Sequence, residues 1–117
     1  MEMEKTLRMS LLFDFYGPLL TERQQDVFQM YFHEDLSLGE IAEQLGISRQ
    51  GVYDLLKRAS AILEDFESKL GLVVKHQERQ ELYGELLNLI DTITEREEPS
   101  TVVAQLKAKI RQAQATS

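Results

Sequence analysis

The chain has 117 residues, of which 43% are hydrophobic and 28% charged, a balance typical of one folded domain rather than a disordered chain or two separate cores. It has no cysteine, which excludes disulfides and thiolate metal sites, and no apolar run approaches the roughly 18 residues of a membrane span. The N-terminus carries Glu2 and Glu4 and lacks a basic signal-peptide start. These features predict a soluble cytoplasmic protein without membrane insertion.

The net charge of −7 is unusual for a nucleic-acid-binding domain, because most such domains carry a basic surface. Residues 1–69 contain 7 Lys or Arg against 13 Asp or Glu, so the acidity is not confined to the C-terminal part. Residues 48–58 differ, with Arg49, Lys57 and Arg58 against Asp54 alone. A short basic strip in an acidic protein predicts weak non-specific affinity for nucleic acid.

Two amphipathic helices are predicted before residue 34. The first covers residues 3–16 and ends at Gly17 and Pro18. The second begins at Thr21, which forms a capping box with Gln24 three residues later. The apolar side chains expected to face inward are Met3, Leu7, Leu11, Leu12, Phe15 and Tyr16 in the first helix, and Val27, Phe28 and Tyr31 in the second.

Residues 37–59 have the pattern of a helix-turn-helix motif. Ser37 and Glu40 form a second capping box, so a helix should begin at Leu38. Gly46 can adopt the left-handed conformation that ends a helix, and Ser48 can cap the next one. Small and apolar residues on both sides of the bend allow the two helices to approach closely. Those residues are Ala42, Ile47, Val52 and Leu55.

The remaining chain predicts long C-terminal amphipathic helices with heptad spacing. The second motif helix should continue to Gly71, a further helix should cover residues 75–95, and a last one should follow a break at Glu97, Glu98 and Pro99. Residues 114–117 should fray. The apolar seam of the first of these helices is Val52, Leu56, Ala59, Leu63, Phe66 and Leu70. In the next helix Arg79 shares the heptad rhythm of the apolar residues Leu82, Leu86, Leu89 and Ile93, which Tyr83 and Ile90 widen, and the last helix has Val103, Leu106, Ile110 and Ala113.

The predicted architecture is therefore one all-α domain over residues 1–117. It consists of a helix-turn-helix core over residues 1–70, with the motif at 37–59, and a C-terminal helical extension over residues 71–117. The heptad seams must be buried either within one chain or between two copies, and the sequence leaves both open. A homodimer is accordingly one of two expectations.

The candidate nucleic-acid-binding residues lie on the second motif helix. Arg49, Gln50 and Tyr53 are placed to contact base edges, whereas Lys57 and Arg58 are placed to contact phosphates. Arg23 and the capped helix start at Thr21 are candidates for a further phosphate contact. The alternative is a solvated face on which these cations pair with Asp54 and Glu40. Four basic contacts would make log affinity fall with log salt at a slope of about −3 to −4.

The sequence contains no recognisable catalytic motif. His33 and His76 are the only imidazoles, and no glycine-rich phosphate loop precedes a helix. We therefore expect no enzyme activity, cofactor or metal site. The aromatic residues should form core rather than a base-stacking platform, and an acidic surface could meet a basic protein partner. The acidic residues in question are Glu64, Asp65, Glu67, Glu78, Glu81 and Glu85.

Two resemblances follow from these motifs. Leu20 to Arg23, Val27 and Phe28, and Leu38 to Ser48 with Val52, resemble region four of bacterial sigma factors, which recognises promoter elements through a helix-turn-helix. Over its whole length the chain more closely resembles the YlxM family of small bacterial proteins, mainly through Ser48 to Gln50 and Val52 to Asp54. Genes of that family accompany the gene of the signal recognition particle GTPase.

The resemblance implies a non-enzymatic regulatory or accessory protein in the targeting of nascent chains to the membrane. Two functions follow as hypotheses. One is a DNA-binding regulator that uses the helix after Ser48. The other is an accessory module that contacts the RNA or the GTPase of the signal recognition particle and does not bind DNA. The acidic charge and the long C-terminal helices depart from sigma factors.

Overall fold

The computed structural model describes residues 2–94 and 101–116, and the side chains of residues 5–93 and 101–116. Within these residues every regular element is helical, which confirms the predicted all-α fold. A 3-10 turn at Gly17–Leu19 follows the first helix. The six α-helices are α1 (Glu2–Tyr16), α2 (Glu22–Phe32), α3 (Leu38–Leu45), α4 (Arg49–Leu70), α5 (Leu72–Thr94) and α6 (Thr101–Thr116).

Both predicted capping boxes are present. Thr21 Oγ1 accepts a hydrogen bond from the Gln24 backbone N–H at 3.2 Å, and Gln24 Oε1 accepts one from the Thr21 N–H at 3.0 Å. Ser37 and Glu40 make the equivalent pair of hydrogen bonds, both at 3.1 Å. Each box satisfies backbone donors that have no partner inside the helix, and so defines where α2 and α3 begin.

The helix-turn-helix motif forms as predicted. Gly46 has φ +68°, in the left-handed region where a side chain would be strained, and its N–H donates to the Ala42 carbonyl. Ser48 Oγ then accepts a hydrogen bond from the Gly51 N–H at 2.9 Å, which caps α4. The bend between α3 and α4 therefore depends on a glycine conformation on one side and a serine cap on the other.

The Met1–Val73 unit is built around α4, which packs against α1, α2 and α3. Phe28 is fully buried, and its ring stacks on Phe13 and Phe32 at centroid distances of 4.8 and 4.4 Å. The aromatic residues thus serve mainly as core, as predicted. The buried apolar residues are Met9, Leu12, Tyr16, Leu20, Val27, Phe28, Ile41, Ala42, Val52, Leu56, Ala59, Leu63 and Val73.

Two predicted core positions are wrong. Leu7 is 64% exposed, and the buried face of α1 consists of Met9, Leu12 and Tyr16 instead. Tyr31 is 37% exposed, and its neighbour Phe32 packs on the core in its place. Both helices have apolar residues on more than one side, so periodicity alone does not select the buried face. Packing against α4 selects it.

The junction between α4 and α5 is shorter than predicted. Gly71 ends α4 at φ +61°, as expected, but α5 begins at Leu72 rather than near Lys75. The Leu72 N–H donates to the Tyr16 hydroxyl at 3.0 Å, and the Val73 N–H donates to Glu67 Oε1 at 3.0 Å. Two side chains from earlier helices therefore satisfy the first donors of α5, which makes a longer connection unnecessary.

In the Val74–Ser117 unit, two polar contacts join α5 to α6 in an antiparallel sense. Gln80 Nε2 donates to the Gln114 carbonyl at 2.9 Å, and Lys107 forms an ion pair with Asp91. α6 continues to Thr116, whose Oγ1 donates to the Gln112 carbonyl, so three of the residues predicted to fray are helical, and residue 117 lies outside the described residues. The predicted break at Glu97, Glu98 and Pro99 lies outside the described residues. The division into residues 1–70 and 71–117 of one domain stays a prediction.

The α5 seam is only partly covered. Tyr83 and Ile90 are half-buried, whereas the four apolar residues at the predicted heptad positions are exposed by 38–62%. On α6, Val103 and Ile110 are half-buried, and Val102 and Leu106 are 65% and 47% exposed. We call the exposed residues the α5–α6 stripe, which comprises Leu82, Leu86, Leu89, Ile93, Val102 and Leu106.

A bidentate ion pair joins α1 to α4. Arg8 Nε and Nη2 donate to the two carboxylate oxygens of Glu64 at 2.8 and 2.7 Å. These hydrogen bonds hold the pKa of Glu64 below its ordinary value of 4.5. A lowered carboxyl pKa stabilises the folded state at pH values above that of the free group, and the stabilisation is lost as the pH falls through the folded-state pKa.

We expect Glu64→Gln to lower the free energy of unfolding by only about 0.5 kcal/mol at neutral pH, because both side chains are substantially exposed to water (47% and 40%). The difference between variant and wild type should shrink as the pH falls from neutral toward about 3. Urea denaturation across this pH range measures it. An unchanged difference at acid pH would show that the effect comes from packing rather than charge.

Candidate nucleic-acid interface

The N-terminal half of α4 presents the predicted contact residues on an exposed face. Arg49, Gln50, Tyr53, Lys57 and Arg58 are all exposed, whereas the opposite side of the helix is buried against the core. Ser48 caps this helix start, and no acidic residue lies in its first turn. The structure therefore brings five of the seven predicted residues together on one helix. Their role as contacts stays a prediction.

Arg49 is held against α3. A Cβ built on Gly39 would lie 3.2 Å from Arg49 Nε and 3.3 Å from its Nη2, so the guanidinium lies across the bare backbone of that glycine. The side chain therefore spans the start of α3 and the start of α4. A side chain at position 39 would force the guanidinium to shift by a few tenths of an ångström, a contact that the sequence pattern did not suggest.

Gln50 is engaged within its own helix. Its Nε2 donates to Asp54 Oδ1 at 3.1 Å, one turn further along. One amide hydrogen and the amide oxygen remain for an external partner, which is the pair that a bidentate contact to adenine uses. Asp54 thus orients a candidate contact residue, although sequence reasoning treated it only as an opposing charge.

The predicted alternative is a solvated face with ion pairs to Asp54 and Glu40; the face is exposed to solvent, but those ion pairs are absent among the described residues. Neither Asp54 nor Glu40 lies within 4.0 Å of a cationic group of Arg49, Lys57 or Arg58 in that part of the chain. Asp54 interacts with Gln50, and Glu40 interacts with the backbone of Ser37. The three cations of this face are therefore available to an anionic partner.

Thr21 and Arg23 lie apart from this cluster, at the start of α2. Thr21 uses its hydroxyl and its backbone N–H in the capping box with Gln24, and Arg23 is exposed. The described hydrogen bonds and ion pairs do not connect either residue to α4. A common ligand could link the two sites only by extending from one helix to the other.

A groove of about 490 Å³ beside α4 was missed by sequence reasoning. Tyr53 and Lys57 line it from α4, and Lys5 and Tyr31 line it from α1 and α2. No sequence motif marks this groove, because its residues come from four helices whose relative positions depend on packing. Tyr31, which was predicted to face the core, lines this groove instead.

The predicted acidic surface is smaller than expected. Glu67 is only 6% exposed and takes part in the junction of α4 and α5. Glu64 pairs with Arg8, and Asp65 pairs with Lys69 at 2.9 Å. Only Glu78, Glu81 and Glu85, all exposed on α5, remain candidates for a basic partner.

The described residues contain no group of three or more His, Asp or Glu side chains arranged to hold a metal ion. None of their helices combines the length and apolar character needed to cross a membrane.

Comparison with known proteins agrees with the helix-turn-helix geometry. Residues 3–110 match the UPF0122 family, described as "Putative helix-turn-helix protein, YlxM / p13 like". The chain is 47% identical to the UPF0122 protein YlxM of Bacillus subtilis over 107 residues, which cover 92% of this chain and 97% of that protein. It is 57% identical over 91 residues to a UPF0122 protein of a Thermoanaerobacter species, covering 78% of each. The chain therefore belongs to the UPF0122 family of YlxM/p13-like helix-turn-helix proteins.

Proposed function

We propose that this protein is a non-enzymatic DNA-binding regulator that uses the exposed face of α4 and acts in the cytoplasm in the signal recognition particle pathway. The observation that carries the proposal is the exposed face itself. Arg49, Lys57 and Arg58 lie on the helix that follows the turn, and none of them forms an ion pair with Asp54 or Glu40 among the described residues. Such a helix is the element that helix-turn-helix proteins insert into the major groove.

The place in the pathway is supported by family membership, because genes of the YlxM family accompany that of the particle's GTPase.

A second function is favoured by charge. The net charge of −7 opposes approach to any nucleic acid, so the exposed acids of α5 could instead contact the particle's GTPase. If nucleic acid does bind, the same α4 face could contact the particle's RNA in place of duplex DNA. In either case the protein is an accessory module rather than a DNA-binding protein.

We expect the triple variant Arg49→Ala, Lys57→Ala and Arg58→Ala to weaken nucleic-acid binding and to flatten its salt dependence. Each phosphate contact contributes about 0.9 to the slope of log affinity against log salt, so the slope should become shallower by about 3. Fluorescence anisotropy titrations with duplex DNA and with the particle's RNA, at several salt concentrations, measure both quantities.

The matched control is Lys69→Ala, which removes a cation from the other end of the same helix, where Lys69 pairs with Asp65. It should leave the slope nearly unchanged. If the triple variant binds both nucleic acids like wild type, α4 is not the contact helix. Loss of RNA binding alone, with no DNA binding in either protein, would favour the accessory function.

We also propose that the protein is a homodimer joined through the α5–α6 stripe. The α5 residues of the stripe follow steps of four, three and four, the spacing that aligns one face of a helix with a partner helix. Several large apolar side chains exposed on one helix face usually mark an interaction site. A two-fold dimer would present two copies of α4, as DNA half-sites require.

We expect Leu89→Glu to shift the mass in solution from about 27 kDa, twice the 13.5 kDa of the chain, to that of the monomer. Leu89 is 62% exposed, so a charge there should not disturb the fold. Light scattering after size-exclusion chromatography measures the mass. Leu7→Glu, at a position 64% exposed on α1, serves as the control and should remain dimeric. A monomeric wild type would contradict the proposal.

A further inference from the structure

The groove beside α4 has the size of a small-molecule site. Its volume of about 490 Å³ lies within the roughly 300–1,000 Å³ usual for ligand pockets. Met9 and Leu56, both less than 8% exposed, contribute its apolar floor. Tyr31 and Tyr53 line it and are partly exposed, at 37% and 48%. The groove therefore offers an apolar surface together with aromatic rings that are not fully buried.

The charge of the groove is opposite to that of the protein. Lys5 and Lys57 line it, and no Asp or Glu does, although the chain contains 20 acidic residues. Among the described ion pairs neither lysine has a carboxylate partner within 4.0 Å. A ligand that combines an apolar body with a negative charge would therefore complement this lining. A nucleotide has both, in its base and its phosphate.

We propose that the groove binds one unstacked nucleotide of a bound nucleic acid, with the base against Tyr31 and Tyr53 and a phosphate near Lys5 and Lys57. Bases inside a duplex are stacked on their neighbours and cannot enter a side pocket, whereas unpaired bases in bulges, loops and ends stack readily on aromatic side chains. The proposal rests on the proposed function, since it requires nucleic acid on α4.

The position of the groove supports this assignment. Tyr53 and Lys57 belong both to the groove and to the exposed face of α4. Nucleic acid lying along α4 would therefore place its next nucleotide at the mouth of the groove. The preferred partner is a helix interrupted by an unpaired nucleotide rather than a continuous duplex.

The test compares three labelled probes at low salt by fluorescence anisotropy: a perfect duplex, the same duplex with one unpaired nucleotide, and the bulged duplex as RNA. Each of the four bases is tried at the bulge. Wild-type protein should bind a bulged probe about tenfold more tightly than the perfect duplex, the scale of one base stacking on an aromatic ring. The DNA and RNA versions show which backbone is preferred.

Tyr31→Ala should abolish this preference while leaving affinity for the perfect duplex unchanged, because Tyr31 lies on α2 and outside the α4 face. Tyr31→Phe keeps the ring and should retain the preference. Circular dichroism confirms that both variants are folded. Equal binding of perfect and bulged probes by wild type, or a preference that survives Tyr31→Ala, would overturn the groove proposal alone. Failure to bind any probe would overturn the proposed function and the groove proposal with it.

Discussion

Phe28→Ala should lower the free energy of unfolding by about 3–5 kcal/mol, the usual cost of deleting a buried phenylalanine ring. Phe28 is 0% exposed, and its ring stacks on Phe13 and Phe32. Removing the ring leaves a cavity between α1 and α2 and deprives both neighbouring rings of a contact. Since the free energy of unfolding of a small domain is only about 5–15 kcal/mol, this substitution would remove a large part of it.

Thermal unfolding followed by circular dichroism measures this effect. A loss of this size should lower the Tm by roughly 15 °C or more, because each kcal/mol shifts the Tm of a small domain by about 4–8 °C. Phe28→Leu, which keeps most of the apolar volume, should cost much less. If the alanine variant melted within a few degrees of wild type, the stacked rings would not be the centre of the core.

Glu67→Ala should lower the free energy of unfolding by about 2–4 kcal/mol. Glu67 Oε1 accepts hydrogen bonds from the Tyr16 hydroxyl at 2.6 Å and from the Val73 N–H at 3.0 Å. Alanine leaves both buried donors without this acceptor, and each unsatisfied group costs about 1–3 kcal/mol. Glu67→Gln retains an acceptor oxygen at the same place and should cost clearly less. Urea denaturation of the two variants compares them directly.

The pH dependence of the free energy of unfolding tests the hydrogen bond between Tyr16 and Glu67 in a second way. Burial raises the pKa of Tyr16 above its ordinary value of 10.0, and the hydrogen bond to Glu67 raises it further. A raised tyrosine pKa stabilises the folded state below pH 10, and this stabilisation is lost as the pH rises through the folded-state pKa. Tyr16→Phe should therefore lose less stability than wild type between about pH 9 and pH 12. If wild type and variant lost the same stability over this range, ionisation of Tyr16 would not be the cause.

Phe28 and Tyr16, the hydrogen-bond partner of Glu67, also bear on function. Phe28 and Tyr16 support the surfaces of α1 and α2 that pack on α4, and α4 carries the proposed contacts at its N-terminal half. Variants that merely loosen the core should therefore weaken nucleic-acid binding in proportion to the unfolded fraction. Variants of the α4 face should weaken binding without changing the melting temperature. Measuring both quantities separates the two causes.

Local structure followed from the sequence where one or two neighbouring residues decide it. The capping boxes at Thr21 and Ser37 and the left-handed glycines at positions 46 and 71 were all predicted correctly. Each depends on hydrogen bonds or backbone sterics within about four residues, so no distant contact can easily override it. The helix-turn-helix motif was therefore predictable without any knowledge of packing.

Tertiary structure decided the exposure of Leu7 and Tyr31 and the role of Glu67, which the sequence pattern did not predict. Leu7 and Tyr31 lie in helices with apolar residues on several sides, and only packing against α4 leaves them exposed. Glu67 looked like one more surface acid, yet Tyr16 from α1 and the backbone N–H of Val73 at the start of α5 give its side chain buried donors. The groove beside α4 likewise exists only where four helices meet. The bends of this chain follow from its sequence, because caps and left-handed glycines act over a few neighbouring residues. The groove beside α4 and the burial of Glu67 depend on contacts between helices, which the sequence pattern does not contain.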